Sequence, residues 1–199
     1  MNGIGYGPGV PVLRSVPSEG QPRKLELGCG ERPTPGYLHN DKNAFPGVDL
    51  VGNPWELDLE SDSLDEVLAL GVVEHLTYRE ARDTFENVHR ILDHGGVFVF
   101  DVPDLPVWCG YIVDYFDGKP TPFPIQHLLA TLYGWQRWNG DEHHSGWYKE
   151  LVEEELVRVG FSALEYGVDN FIERGHVRNR MLRPADAHIY CVAHKERHA

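Results

Sequence analysis

The chain has 199 residues, and 31 Asp plus Glu against 18 Lys plus Arg give a formal charge of −13. That length suits one domain with a sizeable core, while the acidity opposes the phosphate neutralisation on which nucleic-acid and anionic-membrane binding rest. No window supplies the roughly 20 apolar residues of a membrane span, no basic-then-apolar leader opens the sequence, and Cys29, Cys109 and Cys191 form no CxxC pair. The expectation is a cytoplasmic protein with no nucleic-acid or membrane partner and no disulfide.

Residues 1–23 are rich in Gly and Pro without a period and read as a flexible arm ahead of a single domain over 24–199. From Lys24 short apolar runs alternate with helical stretches, the pattern of a mostly parallel sheet with helices on both faces. Strands are expected at Lys24–Leu27, at Tyr37–Asp41, at Val48–Val51 and at Leu64–Gly71. Thr77 with Glu80 three residues later forms a capping box, Ala81, Phe85, Val88 and Leu92 share one helical face, and Gly95-Gly96 is the expected stop. Val97–Phe100 is a continuous apolar run, as in buried central strands, ending at Asp101-Val102-Pro103.

Ten of the 22 aromatic residues then crowd into 104–148, where prolines break the pattern, so this stretch reads as an aromatic substrate cap inserted after the fifth strand. A helix over about 147–159 turns Tyr148, Leu151, Val152, Leu156 and Val159 inward, with Glu150, Glu153, Glu154 and Glu155 on a solvated face. Ala163–Val168 and Ala187–Ala193 read as closing strands, and no internal repeat is present.

The chemistry-bearing signals follow one another along the chain. Leu25-Glu26-Leu27 runs into Gly28-Cys29-Gly30, where two glycines let the backbone turn tightly and approach a ligand without a Cβ in the way. Asp41 places a carboxylate at the end of the second strand, where it can accept from two ribose hydroxyls. Asn53-Pro54-Trp55, the Glu74-His75-Leu76 triplet and the helix leading to Gly95-Gly96 complete the series.

In this order and spacing, from Lys24 to Pro103 and less closely from His143 to about His194, the chain resembles the class I S-adenosylmethionine-dependent methyltransferases, and among them the small type 11 group. The resemblance implies a Rossmann-like, doubly wound sheet of about seven strands, mostly parallel with an antiparallel last strand. It implies S-adenosylmethionine as cofactor. In the family the turn matching Gly28, Cys29 and Gly30 cradles the methionine part with the acid matching Glu26 beside it, and the acid matching Asp41 binds the ribose. Positions matching Asn53, Pro54 and Trp55 hold the adenine, and those matching Leu70, Gly71 and Val72 approach the sulfonium and the methionine amine. Asn53 stands where the family carries Asp, yet its amide oxygen still accepts from an exocyclic amine. Pro33 and Pro35 shorten the usual first helix, a loss that disfavours a dinucleotide, whose phosphates want that helix N-terminus.

Methyl transfer needs nucleophile and methyl held at about 3–3.5 Å, with a base for a hydroxyl acceptor. His75, beyond the fourth strand, and His143 and His144, before the last helix, are the histidines expected at the carboxyl edge of the sheet and are the candidate catalytic residues. Asp101 and Asp104 flank the fifth strand's end, where they could orient an acceptor; His188, His194 and His198 read as surface residues. No spaced set of metal ligands is evident and no metal site is expected. The expectation is a methyltransferase acting on an oxygen or nitrogen of a small neutral or cationic molecule, such as a sugar or aromatic metabolite, with homodimerisation left open. A non-catalytic cofactor-binding or regulatory subunit of the same fold is the alternative.

Overall fold

The computed structural model describes residues 23–173 and 186–196. The expected arm lies outside them apart from Arg23, as does His198. Seven strands form one sheet: β1 (Lys24–Leu27), β2 (Leu38–Asp41), β3 (Leu50–Val51), β4 (Leu64–Leu70), β5 (Leu92–Pro103), β6 (Phe161–Tyr166) and β7 (His188–Lys195). Their order is β3-β2-β1-β4-β5-β7-β6, and β7 alone runs opposite to the other six. The order reverses between β1 and β4, which opens a crevice at their carboxyl ends.

Alternation along the strands divides the core between two faces. Leu25, Val67, Phe98 and Phe100 point to one face and pack with Phe85 of α1 (Tyr78–Ile91), Leu156 of α4 (Lys149–Val159) and Trp147. Leu68, Val99, Tyr190 and Val192 point to the other, which Phe171 of α5 (Val168–Glu173) covers. The capping box is formed as expected: Thr77 accepts from the Glu80 amide, and Glu80 Oε2 accepts from the Thr77 amide at 2.8 Å. At the other end of α1, buried Lys195 donates to the carbonyls of His89 and Leu92 and to Asp62, so its three protons satisfy a helix end that would otherwise be buried with open acceptors.

Five expectations change. The aromatic segment 104–148 holds two helices, α2 (Leu105–Phe116) and α3 (Ile125–Tyr133), which close over Trp108; the prolines at 106 and 124 start these helices instead of breaking them. The first long helix stops at Ile91, ahead of Gly95-Gly96, because Leu92 already pairs with Leu64. The glycines form a bulge within β5, where a Cβ on Gly96 would stand 2.8 Å from the Asp93 carbonyl and 3.0 Å from that of Leu64. Tyr148 is exposed instead of inward, and Glu155 is buried instead of solvated. His188 is likewise no surface residue: its side chain is 5% exposed, with Nδ1 3.5 Å from Asp101 Oδ2. No helix of the described residues is long and apolar enough to cross a membrane.

Candidate active site

The crevice at the reversal point is lined by the turns that follow β1 and β4. Gly28 has φ +59°, and a Cβ there would sit 2.6 Å from Val72 Cγ2, so the two turns touch and only glycine fits between them. Gly30, also at φ +59°, faces open space, with no atom within 4 Å of where a Cβ would lie. Its amide donates to Asp41 Oδ2 at 3.0 Å, and Asp41 Oδ1 accepts from the Asn43 amide at 2.8 Å. The Asn43 side-chain amide also donates to Oδ1, at 3.2 Å; a carboxylate has about four lone-pair sites, which leaves Asp41 capacity for one further hydroxyl.

Glu26 is buried and turned into the short connection after the glycines, accepting from the Thr34 amide at 2.6 Å and from its hydroxyl at 2.7 Å. This bond replaces a first helix in ordering the loop between β1 and β2. Cys29 is buried, and its amide donates to the Asn40 carbonyl. Asn53 donates its side-chain amide to Glu56 at 2.8 Å; Pro54 and Trp55 lie in the 3-10 turn beside it, and Trp55 packs on the core. At the end of β4, Gly71 has φ +65° and donates its amide to Asp101 Oδ1 at 2.8 Å, which ties the ends of β4 and β5 together.

Directly after Val72, the turn Val73–His75 brings in a second group. Glu74 is buried, and the segment before α4 closes on it, with the amides of His144 and Ser145 donating to the Glu74 carbonyl. That contact brings His143 against His75, with ring centroids 4.6 Å apart and planes nearly perpendicular. Burial holds the His143 imidazole below its ordinary pKa, against the opposing pull of Glu74, so the ring is neutral at pH 7. A small cavity lined by Pro103, Leu105, Thr131 and Ser145 opens beside His143. Burial and the nearby Glu150 raise the Asp104 carboxyl above its ordinary value.

Residues 32–100 match the family model described as a methyltransferase domain, a span that begins just past the glycine turn and runs to Phe100 in β5. Over that stretch, about a third of the chain, the sequence is similar to methyltransferases. Solved structures share the fold at low identity. A SAM-dependent methyltransferase from Archaeoglobus fulgidus superposes with a TM-score of 0.56 at 15% identity, covering 88% of this chain and 87% of that one. A protein from Thermotoga maritima, named a possible histamine N-methyltransferase, gives 0.56 at 12% identity, covering 87% and 82%. The phosphoethanolamine N-methyltransferase 2 of Haemonchus contortus, solved with S-adenosyl-L-methionine, gives 0.53 at 15% identity and covers 91% of this chain and 50% of that enzyme. No curated protein matches the chain.

The fold brings two of the three candidate histidines, His75 and His143, into contact, while His144 is exposed. Sequence reasoning named Glu74 only as the neighbour of His75 and gave His188 to the surface. The signal for Glu74 was the triplet itself, a charged residue between apolar Val73 and Leu76. For His188 there was none, since its partner Asp101 is remote in sequence.

Proposed function

We propose that this methyltransferase transfers the methyl group of S-adenosylmethionine to a nitrogen or oxygen of a small molecule. The carrying observation is the cluster of Glu74, His75 and His143, set immediately after the Gly71-Val72 turn at the carboxyl end of β4, with a cavity beside it. When bound, the cofactor supplies an electrophilic methyl group that leaves by in-line displacement.

The crevice fits the cofactor because Gly30 leaves a cradle open and Gly28 lets the β1 and β4 turns meet. In this reading the Gly28, Cys29 and Gly30 turn and the Leu70, Gly71 and Val72 turn hold the methionine part, and Asp41 accepts from the ribose. Asn53, Pro54 and Trp55 receive the adenine. Glu26 acts one step back, by fixing the loop through Thr34. The cluster then receives the polar atom of the acceptor, orients it and, for an oxygen acceptor, takes part in removing its proton.

A small acceptor is supported by the charge of −13 and by the α2 and α3 cap beside the cavity, whose Leu105 and Thr131 line it. Two of the structural neighbours are named for methylation of amines, which puts amines first among acceptors to try. Calorimetry should show the wild-type chain binding S-adenosylmethionine and its demethylated product, with Asp41→Ala weakening both at least ~10-fold through a lost charge-assisted hydrogen bond. A panel of amines and hydroxy compounds then identifies turnover by release of the demethylated cofactor. A wild-type chain that binds neither cofactor form refutes the proposal.

A further inference from the structure

Glu74 Oε2 is buried with no hydrogen-bond partner, an arrangement that leaves a buried acceptor unsatisfied. One oxygen of this carboxylate and one ring nitrogen each from His75 and His143 lie within 4.8 Å of one another. Both rings are oriented by main-chain carbonyls: His75 Nδ1 meets the Glu142 oxygen at 3.0 Å and His143 Nδ1 the Thr131 oxygen at 2.7 Å. A carbonyl only accepts, so each ring carries its proton on Nδ1 and keeps a bare lone pair on Nε2. A carbonyl holding the far nitrogen is also the support that metal-binding imidazoles have.

We propose that Glu74, His75 and His143 bind a divalent transition-metal ion of the Zn2+ type, through one carboxylate oxygen and the two Nε2 atoms. Two imidazoles and one carboxylate form the donor set of catalytic zinc sites, whereas Mg2+ and Ca2+ prefer oxygen alone. Three protein donors leave a fourth position for a further ligand, and the small cavity lined by Leu105, Thr131 and Ser145 adjoins His143. This part rests on the acceptor reading above, for a hydroxyl acceptor: its oxygen takes that position, the ion lowers its pKa so that the proton passes to solvent water, and a remaining oxygen lone pair then forms the O–CH3 bond as the sulfonium S–CH3 bond breaks.

The test uses the full chain, stripped with a chelator and titrated with Zn2+ by calorimetry and with Co2+ by visible absorption. The expected result is one equivalent bound and a four-coordinate Co2+ spectrum that Zn2+ erases. His75→Ala and His143→Ala each weaken binding at least ~100-fold, with Glu74→Gln as a near-isosteric third variant, while His194→Ala leaves it unchanged. Because Glu74 is buried, the melting temperature of each variant is read with and without Zn2+; the ion raises that of the wild type and not that of the variants. Absence of stoichiometric binding, or binding that all three cluster variants retain, overturns the site. Cofactor-dependent turnover by chelated, metal-free protein overturns the ion's part in the transfer and leaves the methyltransferase reading intact. Metal binding in a chain that binds no cofactor has the opposite meaning: it supports the site and defeats that reading.

Discussion

Gly134 holds the segment that carries His143, and Gly134→Ala tests how tightly it does so. The residue has φ +76° and ψ 160°, a region populated by glycine almost alone, and it pairs with Glu142 across an isolated bridge. A Cβ there would stand 1.9 Å from the Asp141 carbonyl oxygen and 2.7 Å from Glu142 Cα. Both are backbone atoms, so no rotamer change relieves the overlap. The 141–142 strand must retreat by at least about 1.1 Å to restore the 3.0 Å that real contacts respect. Backbone strain costs about 1–3 kcal/mol and the overlap about 1–3 kcal/mol more, so the loss centres on about 4 kcal/mol. The Glu142 carbonyl that holds His75 moves with the strand, and so does His143; a shift near 1 Å costs on the order of 100-fold in turnover. Urea unfolding gives the stability change, and calorimetry shows cofactor affinity unchanged within about threefold, since the crevice at Gly28 and Asp41 is elsewhere. Gly118→Ala is the control: φ is +74° and nothing lies within 4 Å of its Cβ, so it loses only the ~1–2 kcal/mol of the left-handed conformation. A Gly134→Ala chain no less stable than Gly118→Ala refutes the reasoning.

Burial by itself would raise the Glu155 carboxyl, but hydrogen bonds from Arg82 and Arg158 outweigh it and hold the group below its ordinary value. A depressed folded pKa means that the stabilisation is present above the unfolded value of ~4.3 and is lost as pH falls through the folded one. With the arginine side chains 51% and 42% exposed, Glu155→Gln lowers stability at pH 7 by about 1–2 kcal/mol. That difference from wild type shrinks in urea curves at pH 3, and one that persists there refutes the assignment to charge. Cys109 is exposed while Cys29 and Cys191 are buried, the Cys191 thiol being pushed up to about 12 by burial. Iodoacetamide at pH 8 therefore labels the native chain at Cys109 and the urea-unfolded chain at all three cysteines, read by mass spectrometry. Equal native labelling of Cys29 would contradict the closed turn after β1.

What the sequence discloses here is what is local. Val97–Phe100 shows as a strand because four consecutive apolar residues are buried on both faces, and the Thr77 cap shows because its two partners are three residues apart. The glycine turn and Asp41 were legible for the same reason. Tertiary neighbours decide the remainder. Glu155 carries the helical periodicity of a solvated face, and only Arg82 from α1 and its own Arg158 turn it into a buried ion pair. The helix end at Ile91 is fixed by pairing of Leu92 with Leu64, which overrides the stop that Gly95-Gly96 advertises. The prolines of the aromatic segment marked helix starts, which look like breaks until the packing around Trp108 is known. In the site, His75 and His143 were each visible, yet their contact and the burial of Glu74 depend on a chain crossing of nearly 70 residues.

The position of β7 also sets the order in which this sheet can form. β1 to β5 pair through neighbouring parallel crossovers, but the strand that flanks β5 arrives last in the described sequence, and Phe100 meets Cys191 across about 90 residues. Until β7 docks, β5 presents Val97–Val102 as an open, apolar edge, the kind of template on which chains associate. Closing so long a loop is slow because its entropy is lost before the ladder forms. Refolding yield should therefore fall with protein concentration, and a variant that weakens β7 pairing should be lost to aggregation before it is lost to inactivity.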